Sequence, residues 1–412
     1  MSEPMVHPHL LSTATRFATL RQDIHRHPEL GIDTFRTAAI VAERLAAWGY
    51  EVHADVGKGV VGVLRRGQST RTLGIRADMD ALPILERNGL PWASERPGCM
   101  HACGHDGHTA TLLAAAEHLA ADARFDGTLN LIFQPDEEGL TGARSMLQAD
   151  LFARFPCDAV YAFHNMPGLP VGVAVVQPGA FMASSEEVQI TLTGRGGHGA
   201  MPERAIDPIP ALAGIITALQ TVVSRNLSTS DAAVVSVGKV RAGTVYNIIP
   251  ESATLMLGVR TATPAVREKV EQRIREIVQG QAASFGVTAA IEYRLLAPVL
   301  VNAPEETARM HAAACAVLGA DNVLEQMPVR LMGSEDFAWM LNERPGCYFV
   351  LGNGTGSFNG CSVHNDHYDF NDAVIPLGAA CWARLVEDYL QPLATSACLP
   401  PESTPSSRPP RP

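Results

Sequence analysis

The sequence predicts an α/β fold, a mostly parallel sheet flanked by helices, with a ferredoxin-like α+β module inserted into it. Three observations carry that reading. The chain has 412 residues, more than the roughly 100–200 of one ordinary domain. Strand-like and helix-like segments alternate in its first and last parts, the signature of a layered α/β architecture. Between them the pattern becomes strand, helix, strand, strand, helix, strand, which fits a small ferredoxin-like unit. The expected organisation is an α/β domain over residues 1–184 and 295–393, an inserted module over 185–294, and a tail over 394–412.

The elements follow in order. "LLSTATRFATLRQDIHRHPEL" and "TFRTAAIVAERLAAWGYEV" space their apolar residues as helices do, the second stopping at Gly49. "VVGVLRRG", "TLGIRADMDALP", "GTLNLIFQPDEEG" and "DAVYAFHNMPG" each open as a strand and run into a loop, with the helix "TATLLAAAEHLAA" among them. In the module, "SSEEVQITLTGRGG" alternates apolar and polar positions like a half-buried strand. The helix "PIPALAGIITALQTVVSR" and the strands "AAVVSVGKVRAG" and "ATLMLGVRTA" come next, then a helix from "PAVREK" and a strand at "TAAIEYRLLAP". A helix around 305–318 and the strand "GCYFVLGNG" resume the first pattern. The tail "ATSACLPPESTPSSRPPRP" is rich in Pro and Ser, so it is expected to be disordered.

Hydrophobic residues at 46% and charged residues at 18% are ordinary for a soluble chain with a sizeable core. A net charge of −11 excludes the basic footprint of a nucleic-acid binder, while leaving room for a local cationic pocket. With no run of about 18 apolar residues, no membrane span is expected. The opening "MSEPMVHPHLLSTATRF" lacks the basic start and apolar core of a secretory signal. The 8 cysteines have no framework spacing, so they read as reduced thiols in a cytoplasmic protein.

Chemistry-bearing residues collect where strands end. Asp78 and Asp80 follow "TLGI", Glu137 and Glu138 follow "LNLIF", and His164 follows "AVYAF". Open α/β sheets bind ligands outside the C-terminal ends of their strands, so these groups point to one site. Cys, His, Asp and Glu without a Gly-rich phosphate loop indicate a metal, and imidazole with thiolate favours zinc or a similar transition metal over Mg²⁺ or Ca²⁺. In "MHACGHDGHTA", Cys103 and His105 are spaced so that a loop can aim both at one centre. The adjacent acids of "PDEEG" can divide between binding metal and acting as a general base. Taken singly, each has a plainer reading: Cys103 as a small buried hydrophobe, the acid pair as solvated surface, Asp80 as a turn or cap group. Asp106 and His108 either orient a ligand or start the following helix; His101 reads as structural. It is the coincidence at strand ends that favours a metal site.

Eight ordered segments then carry a family resemblance: "RADMDALPI", "MHACGHDGHTA", "FQPDEEG", "HNMPGLPVG", "GRGGHGAMPE", "YNIIP", "MGSEDFAWM" and "VHNDHYDFND". From "DIHRHPELG" to about residue 390 the chain resembles the aminoacylase/carboxypeptidase-type metallopeptidases, in the amidohydrolase branch that contains hippurate hydrolases and plant auxin-conjugate hydrolases. The resemblance implies a catalytic α/β domain, a lid and dimerisation module, and two divalent ions (Zn, Mn, Co or Ni) held by Cys103, His105, Glu138, His164 and His364. It implies Glu137 as general base and Asp80 as an acid orienting a metal-site group. Other branches place a His ligand where this chain has Asp78. His198 resembles a lid histidine that reaches the cleft, commonly across a dimer, to stabilise the oxyanion. Asn247 and Arg260 resemble groups that hold the substrate's polar end, Arg260 having a solvated strand residue as its alternative reading. The expected substrate is a small-molecule N-acyl-L-amino acid, hippurate-like, with Phe181, Met182, Met332 and Phe358 as acyl-pocket residues or plain core. The alternatives are N-acetyl-diaminopimelate deacetylation, dipeptide cleavage, or an idle metal-binding relative. A homodimer through the lid is expected, with a homotetramer as its alternative, and no nucleic-acid or membrane partner.

Overall fold

Apolar runs with β-branched residues at their centres make the strands that position everything else. The structure, a computed structural model, describes residues 4–356 and 360–391. Its larger sheet has eight strands in the spatial order Glu51–Val56, Gly59–Arg66, Gly127–Gln134, Thr72–Asp78, Ala159–Pro167, Gly346–Gly354, Ala174–Val175, Val323–Leu324. The four central strands run parallel to one another. The two at the first edge are antiparallel, and the short strand Ala174–Val175 is antiparallel to its neighbour Gly346–Gly354. The sheet is therefore mixed with a parallel centre, as expected.

Alternation along these strands divides the core between two faces. Leu73, Ile75, Leu129, Leu131, Tyr161 and Phe163 pack on one side with the helices Pro8–Arg26, His105–Ala121, Pro304–Leu318 and Val374–Tyr389. Ile132, Val160, Ala162, Tyr348 and Val350 pack on the other, under the short helices Gly142–Gln148, Leu151–Arg154 and Ala338–Glu343. Trp382 is fully buried, its ring centroid 5.8 Å from that of Phe163 and 5.3 Å from that of Phe349. The helix His105–Ala121 is buried along almost its whole length, so its apolar residues show no single stripe.

Residues 185–297 build a second, antiparallel sheet in the order Ala233–Ala242, Ser252–Thr261, Ser185–Thr193, Thr288–Ala297. The helices Pro208–Leu219 and Pro264–Ser284 cover one of its faces. With two helices as crossovers, this is the ferredoxin-like arrangement.

Some boundaries differ from the sequence reading. The first helix ends at Arg26, because the residue before Pro28 is pushed out of the helical region. The edge strand Glu51–Val56 is too exposed to carry an apolar signal. The helix expected from "TATLLAAAEHLAA" begins four residues earlier, at His105, which brings Asp106 and His108 into its opening turns. The expected tail over 394–412 lies outside the described residues.

Removing the Trp382 indole leaves a cavity that the Phe163 and Phe349 rings cannot fill. Trp382→Ala is expected to lower unfolding free energy by about 3–5 kcal/mol, read from the midpoint and slope of urea denaturation.

Candidate active site

The register of the parallel strands brings their C-terminal ends level: Asp78 lies opposite Gln134, and His164 opposite Val350. Asp78 ends its strand, while His164 lies within Ala159–Pro167. From these ends the chain turns into loops that converge on a cleft of about 620 Å³, whose lining includes Cys103, Glu137, Glu138, His164, Arg260 and His364.

Asp80 organises this edge. Its Oδ1 accepts a hydrogen bond from the Glu137 N–H at 3.0 Å, and its Oδ2 one from the Glu138 N–H at 3.1 Å. Nδ1 of His105 lies 2.9 Å from the Asp80 backbone carbonyl and 3.3 Å from Oδ1. Both contacts direct the opposite nitrogen, Nε2, toward the acids. Among the described residues that buried atom has no hydrogen bond, and it stands 3.8 Å from Asp78 Oδ2, 3.9 Å from Glu137 Oε2 and 4.0 Å from Glu138 Oε1.

The five residues named as ligands from the sequence come together. Cys103, His105 and His164 offer donor atoms all within 4.8 Å of one another, and so do Cys103, Glu138 and His364. Cys103 Sγ is 3.2 Å from His164 Nε2, and His364 Nε2 is 3.2 Å from Glu138 Oε1. Donors bound tetrahedrally at about 2.0–2.3 Å stand about 3.3–3.8 Å apart, so the spacing suits shared cations. His364 has a positive φ of 63° and donates its backbone N–H to the Ala102 carbonyl at 2.7 Å. A non-glycine residue in that region carries strain that its surroundings must hold, and here the conformation turns the imidazole toward Glu138.

Charge supports the same fit. Burial resists a charged ring at His105, yet the Asp78, Asp80 and Glu138 carboxylates push its pKa up to about 10. Burial, with the charges of Glu335, Glu138 and Asp336, lifts Glu137 well above the usual carboxylate range. Burial and the Glu138, Glu137 and Asp78 carboxylates likewise raise the Cys103 thiol. Burial keeps His164 neutral, its pKa well below the ordinary value and lowered further by the neighbouring His108 charge. Thiol, imidazole and carboxylate donors gathered in one buried place suit divalent cations, whose binding displaces protons from such groups.

Gly104 lets Cys103 and His105 face the same way. Its φ is 101°, and a Cβ there would stand 2.2 Å from Asn165 Oδ1 and 2.6 Å from the Tyr368 hydroxyl, so any side chain is excluded.

Beneath the cluster lies a buried network that the sequence reading did not identify. Arg76, 1% exposed, donates to Gln134 Oε1 at 2.9 Å, Asp78 Oδ2 at 2.7 Å and Glu335 Oε1 at 3.0 Å, with Asp336 Oδ1 at 3.3 Å. Asp78 in turn meets His108 Nδ1 at 2.7 Å, and His108 Nε2 meets Asn165 Oδ1 at 2.8 Å. Asp78 is therefore tied to Arg76 and His108 while standing beside the cluster, and His108 is an orienting group. The available signal was the spacing of Arg76 and Asp78, two apart on one strand face, next to the adjacent acids of "MGSEDF".

The other expected residues divide. Arg260 lines the cleft and donates to the Ser334 hydroxyl; among the described residues it has no carboxylate partner. Met182 and Met332 also line the cleft. Phe181 is a core residue instead, packed on Tyr348 with ring centroids 6.1 Å apart, and Phe358 lies outside the described residues. His198 and Asn247 are exposed on a lid ribbon in which Gly197–His198 pairs with Ile248–Ile249. Neither lines the cleft formed by the described residues of this single chain.

Asp106 sits in the first turn of its helix, 2.8 Å from His25 Nδ1 and 3.6 Å from Arg21 Nη1. Glu86 takes the other His25 nitrogen at 3.0 Å. His101 is fully buried with neither ring nitrogen hydrogen-bonded, and burial holds its pKa down at about 3. It is a neutral, packed ring.

The His25 contact makes stability depend on pH. Burial opposes its charge, but Asp106 and Glu86 raise its pKa to about 9, against about 6.5 in an unfolded chain. Its stabilisation is fully present below about pH 6.5 and is lost as pH rises through about 9, on the order of 3 kcal/mol in all. Denaturation from about pH 6 to about pH 10 is expected to show that decline in wild type and a flatter limb in His25→Gln.

Comparison with known proteins agrees with this geometry. Residues 74–388 match the family model described as peptidase family M20/M25/M40. The chain is 42% identical over 386 residues to a hippurate hydrolase of Campylobacter jejuni, covering 93% of this chain and 99% of that one. It is 36% identical to an N-acetyldiaminopimelate deacetylase of Geobacillus thermodenitrificans, over 83% of this chain and 90% of the other. A crystal structure of a dinuclear metal-binding M20 peptidase from Bacillus subtilis superposes with a TM-score of 0.81 at 32% identity, covering 92% of this chain and 99% of that one. The chain belongs to peptidase family M20/M25/M40.

Proposed function

We propose that this protein hydrolyses the amide bond of N-acyl-L-amino acids of hippurate type, using two divalent ions. Family and relatives make it an amide hydrolase; the substrate class rests on one observation. Arg260, half-buried and without a carboxylate partner among the described residues, shares a cleft with the acid pair Glu137 and Glu138. Such a guanidinium suits the carboxylate of a small substrate. Met182, Met332 and Val350 give the same cleft an apolar side for the acyl group.

Cys103, His105, Glu138, His164 and His364 would hold the ions, with Zn, Mn, Co and Ni all suited to this donor set. Cys103 belongs both to the three-donor group with His105 and His164 and to the one with Glu138 and His364, and would contribute to holding the ions as a thiolate. When bound, the ions supply Lewis acidity that activates water and polarises the acyl carbonyl.

Glu137 is the proton carrier. Its backbone is held by Asp80, and its pKa is raised by burial and by Glu335, so its carboxylate accepts the proton of the attacking water and returns it to the leaving nitrogen. Arg260 fixes the substrate carboxylate through its guanidinium. Asn247 is assigned the substrate's polar end, and His198 donates to the developing oxyanion, a contribution of roughly 10²–10³ in rate. Both stand on the lid away from this chain's own cleft, beside the fully exposed Tyr246 and the exposed Ile248. Delivery from a second copy of the chain, in a homodimer joined through the lid, accounts for that position. No helix among the described residues is long and apolar enough to cross a membrane, and cytoplasmic location is part of the proposal.

Glu137→Gln is expected to retain metal by elemental analysis while kcat for hippurate falls by at least about 10³-fold. Near-wild-type turnover would remove Glu137 as base. A panel of N-acyl amino acids, N-acetyl-diaminopimelate and dipeptides, followed by mass spectrometry, checks the substrate class. Mixing Glu137→Gln with His198→Ala chains tests the shared site: purified heterodimers are expected to recover activity that neither parent has. Heterodimers that stay inactive would contradict delivery across the dimer.

A further inference from the structure

A second group of metal donors lies outside the cleft, where the N-terminal helix meets the far end of the helix that begins with His105. His7, His118 and Asp122 offer ligand atoms all within 4.8 Å of one another. His118 and Asp122 are one helical turn apart, with His118 Nδ1 3.8 Å from Asp122 Oδ2. His118 is 5% exposed, and its Nδ1 makes no hydrogen bond among the described residues. The His7 ring stands over that of His118 at 4.6 Å between centroids, and the His9 ring follows at 5.5 Å. Nδ1 of His9 is likewise buried without a hydrogen bond.

Three imidazoles and a carboxylate gather at this end of the helix pair. Unpaired buried ring nitrogens lose the hydrogen bonds they would make to water. We infer that His7, His118 and Asp122 form a second metal site, distinct from the catalytic cleft, for one zinc-class divalent cation. His9 stands beside it, and the remaining coordination position opens to solvent at the exposed His7 and Asp122.

Imidazole-rich donors select Zn²⁺, Ni²⁺ or Cu²⁺ over Mg²⁺ and Ca²⁺. A histidine and an acid at i and i+4 on one helix form a chelating pair, and the third donor comes from another helix. Such an ion clasps the helix Pro8–Arg26 to the helix His105–Ala121. The same two helices meet at their other ends through Arg21, His25 and Asp106. The cation would therefore close the second end of one helix–helix contact, and its binding would add to stability by mass action.

The test compares apo wild type with a His7→Gln/Asp122→Asn double variant, both titrated with Zn²⁺ against a chromophoric chelator. Because both proteins keep the catalytic cleft, ions bound there cancel in the difference. Wild type is expected to bind one equivalent more than the variant. Its unfolding temperature should rise by several degrees on filling that site with Zn²⁺ but not with Mg²⁺. Hydrolytic activity of the fully loaded variant should match wild type. Equal stoichiometry and equal zinc-dependent stabilisation in the two proteins would overturn the assignment.

Discussion

One buried carboxylate, that of Asp80, sets the geometry of the cleft. Its two oxygens are both committed to backbone N–H groups, those of Glu137 and Glu138, and the residue also meets Nδ1 of His105. Three separate segments are thereby held at one point: the end of Thr72–Asp78, the loop after Gly127–Gln134, and the start of the helix His105–Ala121. Because Asp80 holds only the backbone of the acid pair, the side chains of Glu137 and Glu138 stay free for other work. The left-handed Asp136, φ 53°, follows from this arrangement, since the chain must turn sharply for two successive amides to reach one acid.

The second constraint is electrostatic. Asp78, Glu137, Glu138, Glu335 and Asp336 crowd one buried region in which Arg76 is the paired guanidinium. Buried ion pairs recover their desolvation cost only with full hydrogen bonding. Arg76 meets that condition through Gln134, Asp78 and Glu335, and Tyr348 adds its hydroxyl to Glu335 at 2.9 Å. What the network leaves uncompensated is the charge on the cleft side. There burial and neighbouring carboxylates raise the proton affinity of Glu137, and the Asp78, Asp80 and Glu138 carboxylates that of His105. Cations and protons thus compete for the same groups, which ties folding of this edge to metal loading.

The sequence made the strand ends legible because apolar runs stop where polar chemistry begins, and a parallel sheet aligns those stops. "LNLIF" before Glu137 and "AVYAF" before His164 needed nothing beyond that rule. The ferredoxin-like order was equally readable, its half-buried strands alternating as one-sided sheets do. Arg76 escaped because a charged residue inside a strand reads as a solvent-facing position, and only tertiary packing reveals it as fully buried. His108 stayed ambiguous for a similar reason: nothing local distinguishes a ring that begins a helix from one that bridges Asp78 and Asn165. Phe181 illustrates the converse, since an aromatic residue near a cleft carries no mark of which side of the sheet it faces. His364 was reached only by resemblance, because a ligand on a distant loop with a strained backbone has no periodic signal.

The division of the cleft between two sheets has a chemical logic. His164 stands on the larger, parallel-centred sheet, His105 opens a helix packed on it, and Cys103, Glu137, Glu138 and His364 come from loops at its edge. Arg260 belongs to the antiparallel sheet, and its hydroxyl partner Ser334 lies on the loop before the helix Ala338–Glu343. A substrate whose carboxylate engages Arg260 and whose amide reaches Glu137 would span both sheets, so part of its binding energy goes to holding them together. Interactions at the non-reacting end of a substrate raise turnover when they enforce position at the reacting end. A longer or shorter amino-acid portion would keep the guanidinium contact only by moving the amide away from Glu137. On the proposed reading, selectivity for the amino-acid half of the substrate would follow from the separation of Arg260 and Glu137, and selectivity for the acyl half from the apolar wall of Met182, Met332 and Val350.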